Sequence, residues 1–307
     1  MLTFTIRRLF STILVLWGVL TLTFFAIRLL PGDPATILAS QGGGSAQQIA
    51  ELRAQLELDV SLPVQYVRFL AGLMRGDLGV SLVSHRPVVD VIAEQLPHTL
   101  ALASSATLVS VVWGVSMGVL AATHQGTWID QICMGLSVLG VSIPILLSGL
   151  LFILLFSLFL KWLPATGQGS WRHLVMPALV LSLASVGTIA RLVRTQMLEV
   201  LPQDYITIAR AKGVSERAVL WRHALRNALI PVVTIIGLQF GSLLGGTVVT
   251  ESLFSRKGLG RLVVDAISWQ DYPLVQGVVI LGAALYVTMN FLVDLSYGIL
   301  DPRVRRQ

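Results

Sequence analysis

The sequence predicts an all-α polytopic membrane protein with six transmembrane helices. Three observations predict it. Only 12% of the 307 residues are charged, the mean hydropathy is +0.78, and six apolar stretches reach the roughly 20 residues needed to cross a hydrocarbon core.

The first stretch, 9–30, follows Arg7 and Arg8. It is too long for a signal-peptide core and no small-x-small cleavage site follows, so it reads as a retained anchor. The second covers 99–122. The third, 131–160, is longer than needed and contains Pro144, which predicts a tilt, a kink or an extension past the bilayer. Its Cys133 is the only cysteine, so it reads as a buried inert thiol. The remaining stretches are 173–195, 229–252 and 274–299.

Polar residues inside the last two spans carry the most information. Gly237, Gly241 and Gly245 recur every fourth residue, as a close helix-packing seam requires. Gln239, Thr247, Thr250 and Glu251 share a neighbouring face. They are candidates to line a pathway, with helix–helix adhesion as the alternative. In the last span Tyr286, Asn290, Asp294 and Tyr297 share a face. Asp294 cannot stay charged facing lipid. Its expected role, with Asn290 beside it, is structural, as an ion pair with Arg191 or Arg194. A proton relay is the other reading.

The connections divide the chain further. Residues 1–30 form an N-terminus and first span, 31–98 a cap with helical patterns over 47–58 and 64–74, 99–300 a five-helix unit, and 301–307 a tail. Two shorter connections, 161–173 and 255–273, lie on the cap side. The second holds Gly258-Leu259-Gly260 and an amphipathic run from Arg261 to Trp269. On the other side lies a basic island within 196–231. It reads as two short helices parted by Gly213, a left-handed helix stop, with Ser215 placed to cap the second. Glu216 at the start of that helix suits its dipole.

Charge sets the orientation. With the termini inside, segments 1–8, 123–130, 191–228 and 301–307 hold 12 of the 22 basic residues but 5 of the 16 acidic ones. The opposite side holds ten of each, and Asp294 remains within a span. The positive-inside rule therefore predicts cytoplasmic termini and a cytoplasmic 196–231 loop.

Several function classes drop out. The pI near 10 arises from thinly spread bases with no basic–aromatic patch, which excludes a nucleic-acid binder. There is no Gly-rich phosphate loop for ATP. His85, His98, His124, His173 and His223 are scattered without metal-ligand spacing, so no metal and no catalytic group is expected. An ion-coupled secondary transporter would need two related halves and mid-membrane coupling residues, which are not evident.

Over nearly its whole length the sequence resembles the inner-membrane permeases of the peptide and nickel class of ABC importers. The resemblance rests on stretches in a fixed order. Leu30-Pro-Gly-Asp-Pro34 and Gly76-Asp-Leu-Gly-Val-Ser81 come first, then Ala209-Arg-Ala-Lys-Gly213 and His223-Ala-Leu-Arg-Asn-Ala-Leu-Ile-Pro231. Gly258-Leu-Gly260, Asp271-Tyr-Pro273 and Leu300-Asp-Pro-Arg303 complete it.

The resemblance implies a type I importer fold in a bacterial inner membrane, without covalent chemistry or a cofactor of its own. It implies a heterodimer with a second homologous permease, two ATPase subunits that bind ATP and magnesium, and an extracytoplasmic binding protein. The 196–231 loop would be the ATPase-coupling element, with Asp204, Tyr205, Ala209, Arg210, Ala211, Lys212, Gly213, Arg217, His223 and Asn227 within it. Tyr205, Ile208 and Val219 or Leu220 are the expected apolar anchors, and Arg210, Lys212, Arg217 and Arg222 the charged rim. The expected substrates are dipeptides, longer peptides or glutathione, with nickel or a metal chelate as the alternative.

Overall fold

The computed structural model describes residues 2–29, 47, 53 and 59–300, with backbone only for 2–5, 7, 27, 29 and 294–300. The Leu30–Pro34 motif, most of the 47–58 helical pattern, the 301–307 tail and the side chain of Asp294 lie outside the described residues.

Apolar side chains at helical spacing give the following elements. Helix α1 spans Leu2–Leu29, α2 Leu62–Met74 and α3 Val88–Thr123. Helices α4 (Trp128–Ser142) and α5 (Ile145–Phe159) follow, then α6 (Arg172–Val200) and α7 (Asp204–Ala211). Helix α8 is Glu216–Leu253, α9 Leu259–Ser268 and α10 Tyr272–Leu300. Among the described residues five helices are individually long and apolar enough to cross a membrane, or six if α4 and α5 count as one span.

The third expected span is not one continuous helix. It breaks between Ser142 and Ile145, and the two halves meet at 108°. Pro144 causes the break. It drives Ile143 out of the helical region, to φ −79° and ψ 123°, and supplies no N–H to the ladder.

Helix α6 is the centre of the bundle. It packs against α3, α4, α5 and α8, and more of it is buried in protein than of α1, α3, α8 or α10. Small residues let the backbones approach: a Cβ added at Gly118 would lie 2.6 Å from the Ala190 carbonyl oxygen. Helix α1 lies outside, against α10. Its Phe24 and Phe25 pack on Tyr66 and Phe69 of α2, while Arg28 Nε donates to Gln65 Oε1 at 2.8 Å. These contacts dock the cap helix onto the first span.

The opposite end, here the loop face, is joined by Asp130 and Arg194. Arg194 donates to both carboxylate oxygens of Asp130 at 2.7 Å each, and the Gly126 amide adds a third bond. Arg194 is therefore the partner of Asp130 at the start of α4, and the expected pairing of Asp294 lies outside the described residues. Because Asp130 is buried, removing it strands a guanidinium. We expect Asp130→Ala to cost about 2–3 kcal/mol, and Asp130→Ala with Arg194→Leu to cost less than the single change. Thermal unfolding of the detergent-solubilised protein would read both.

Candidate functional site: the loop-face hairpin and the cap-face clasp

The 196–231 segment folds as a helical hairpin, α7 and the start of α8, turning at Gly213 with φ +79°. The turn closes through Gly213 N to Arg210 O and Val214 N to Ala209 O, and an Arg210–Glu216 ion pair at 2.8 Å spans it. Glu216 thus has a partner beyond its favourable position at a helix start. Ser215 does occupy the N-cap position, but its side chain makes no cap bond. Only its carbonyl, accepting from Val219 N, starts the helix.

The hairpin sits firmly on the membrane helices. Ile206, Val219, Ala224 and Leu225 share one core with Val119 and Ala122 of α3 and with Val193, Met197 and Val200 of α6. Asn227 Nδ2 donates to Tyr205 Oη at 2.7 Å, tying α7 to α8. Val219 is fully buried and so is not an exposed anchor, and Leu220 is half-buried. The apolar side chains that do face outward are Tyr205, Ile208 and Trp221, the last 54% exposed. Trp221 is not among the expected anchors; it lies opposite buried Val219 on a segment, 219–224, that forms a wider π-turn. Around these three, Asp204, Arg210, Ala211, Lys212, Arg217 and Arg222 are exposed, and Ala209 and His223 are half-buried. An aromatic and aliphatic centre within a cationic rim is the composition of a protein-docking surface.

The polar stripe of the fifth span lies elsewhere. Thr247, Thr250 and Glu251 have no exposed surface, so they line no open space in this conformation. The two hydroxyls bond back to the carbonyls of Leu244 and Thr247. Gln239 is half-buried and accepts from Ser185 Oγ of α6 at 3.0 Å. The Ser185–Gln239 bond is helix–helix adhesion, the alternative reading of the stripe, whereas the two threonine bonds stay within α8. Of the glycine seam, Gly237 and Gly241 meet Val293 and Tyr286 of α10, whereas Gly245 faces open space. There α8 and α10 part around a cavity of about 470 Å³, with Ser242, Val248, Val278 and Tyr286 in its walls and α9 across one side. Asn290 borders the seam, its Oδ1 buried and without a partner among the described residues.

Glu251 instead builds the cap face. Its Oε1 accepts from Thr99 Oγ1 of α3 at 2.7 Å. Its Oε2 accepts from the amides of Gly260 and Arg261 at 2.8 and 3.2 Å, and Thr99 Oγ1 accepts from the Leu259 amide at 2.7 Å. Three otherwise unpaired N–H groups at the start of α9 are thereby satisfied. The approach explains the Gly258-Leu259-Gly260 motif. A Cβ at position 258 would stand 2.2 Å from the Glu251 carboxyl, and one at 260 would stand 2.5 Å from Val248 Cα. Nearby, Arg256 is buried and donates to the His173 carbonyl at 2.9 Å. Burial pushes its guanidinium down from the ordinary value, and the Glu251 carboxylate offsets part of that. The 161–173 connection joins through Gln168, which bonds His98 Nδ1 and accepts from the Lys257 amide.

At the far end of α9, buried Asp271 accepts from Ser81 Oγ and from the Leu82, Val83 and Leu274 amides. Two of the ordered motifs, Gly76–Ser81 and Asp271–Pro273, therefore meet through one carboxylate. No sequence signal marks Glu251 and Asp271 as these acceptors, because the pairings are set by tertiary geometry.

Comparison with known proteins places this architecture. Residues 114–306 match the family of binding-protein-dependent transport system inner membrane components, and residues 1–103 match its N-terminal model. The chain belongs to that family. It is an inner-membrane, multi-pass permease component of an ABC importer. It is 43% identical over 305 residues to the glutathione transport system permease protein GsiC of Salmonella paratyphi A, covering 99% of each chain. It is 42% identical, with the same coverage, to GsiC of Escherichia coli K12. Inward-facing structures of the MetNI methionine ABC transporter share the fold. One has 19% identity and a TM-score of 0.56 over 69% of this chain and 97% of that one. An amino acid ABC transporter matches at 14% identity and a TM-score of 0.53, over 68% and 94%. The type I importer permease fold is thus present.

We expect Gly260→Ala to loosen α9 at a cost of about 1–3 kcal/mol, since the backbone of α8 cannot yield to the added methyl. Faster protease cleavage within 254–272, with unchanged cleavage at the 201–215 hairpin, would register it.

Proposed function

We propose that this permease carries glutathione or short peptides inward, driven by ATP bound with magnesium on separate subunits. An extracytoplasmic binding protein would present the substrate at the cap face. A second homologous permease would complete the pathway, and the 196–231 hairpin would dock on an ATPase at the cytoplasmic face, where both termini also lie. The observation that carries this reading is the hairpin itself. It exposes Tyr205, Ile208 and Trp221 within a cationic rim, yet its buried face is continuous with the ends of α3 and α6. Full-length identity of 43% to a glutathione permease supports the substrate class.

Alternating access needs no reacting group in this chain. ATP binding by the partners would close the two docked hairpins together, shifting a pre-existing equilibrium between inward-open and outward-open states. A substrate contributes by binding those states unequally.

The deciding experiment co-expresses the chain with its neighbouring subunits, reconstitutes the complex and measures ATP hydrolysis with and without glutathione and its binding protein. We expect glutathione-dependent stimulation. Uptake by this chain alone down an ion gradient would overturn the reading. For the hairpin, Trp221→Ala and Arg217→Glu should each abolish co-purification of the ATPase while membrane insertion stays normal. Gly213→Val should act similarly, because a β-branched residue at φ +79° costs about 1–2 kcal/mol and opens the turn. Wild-type recovery of ATPase with all three would refute the docking role.

A further inference from the structure

We propose that α9 is a hinged gate across the cap-side end of the α8–α10 cavity, held shut by two buried carboxylate clasps, Glu251 and Asp271. Three independent features converge on this one short helix.

The first is position. Leu259, Gly260 and Val263 of α9 form one wall of the cavity whose other walls are α8 and α10. Leu259 and Ala266 pack on Val88 and Ile92 of α3 and on Leu274 and Val278 of α10. A displacement of α9 therefore uncovers Val278, which is 6% exposed when the helix is seated.

The second is the hinges. On either side of α9 lie Ser255, just past the end of α8, at φ +49° and Gln270, two residues past the end of α9, at φ +58°; they are two of the four non-glycine residues with positive φ among those described. Both are side-chain-bearing residues held in the left-handed region, where the surroundings must over-determine the backbone. A strained residue in each connection to this ten-residue helix gives two backbone positions that can absorb its rotation.

The third is the fastening. Glu251 and Thr99 hold the first turn of α9, and Asp271 holds the chain just after its last turn to residues 81–83 of the cap segment. Both carboxylates are fully buried, and each accepts from backbone amides of a different segment. Such bonds are made or lost together, so they favour two discrete positions over a continuum. The clasp through Asp271 also couples the gate to the segment that follows α2, which is itself docked on α1. Glu251 and Asp271 are positioning residues here. Neither needs to touch the transported molecule.

The inference deepens the transport reading, but the test needs no substrate and can fail independently of it. The complete transporter is placed in nanodiscs with Val278→Cys as reporter, and its reaction with a charged maleimide is timed. Native Cys133, 6% exposed in α4 and remote from α9, serves as an internal control for general loosening. We expect Glu251→Gln and Asp271→Asn each to speed labelling of the reporter by about tenfold, with Cys133 unchanged. Gln270→Gly removes the left-handed penalty of the seated helix and should slow labelling. Unchanged rates in both clasp variants would overturn the gate. So would a rise at Cys133 in step with the reporter, or faster labelling with Gln270→Gly.

Discussion

Close approach of helix backbones is the constraint on which this structure depends. In a bilayer, apolar side chains gain little by leaving lipid for protein, so helices hold together through packing distance and polar contacts. Helix α6 meets that condition on several sides at once, because α3 lies against it wherever Gly118 and its small neighbours allow. Everything functional hangs from the two ends of that core. At one end its tip merges with the hairpin, and at the other the 161–173 connection meets the start of α9's clasp through Gln168 and Lys257.

The two ends use different physics. On the loop face the hairpin is seated by apolar burial, with one ion pair between α4 and α6 beside it. On the cap face the fastenings are carboxylates that accept backbone amides across long sequence separations. Apolar burial tolerates small shifts, whereas an amide–carboxylate bond weakens steeply once its length and angle leave a narrow range. The cap face is thus the more switch-like of the two, and the loop face the more continuous.

Much of this was legible beforehand. Hydropathy placed the spans, Pro144 marked the break, and Gly213 divided the hairpin. The break was sharper than a kink because Pro144 left Ile143 no helical conformation. Three features could not be read, each for a physical reason. Sequence offers Arg194 only as one of two candidate bases for Asp294, and it cannot say that the start of α4 folds beside it and brings Asp130 into reach. Val219 faces inward and Trp221 outward because the hairpin seats one side of its second helix on α3 and α6, and the sequence does not say which side. Glu251 resembled a pathway residue because polarity in a span is visible from sequence, while its partners on α3 and α9 are set by tertiary geometry.

The shared core beneath the hairpin has a mechanical consequence. Ile206 and Val219 are fully buried, wedged among the ends of α3 and α6, with no slack chain between them and the membrane helices. A load applied to the outer surface of the hairpin meets stiffness at once instead of first taking up play. In engineering terms the element is a keyed shaft and not a tow-rope: it can transmit compression, tension and torque alike. A machine driven from one side needs that property if each stroke is to be followed by a return.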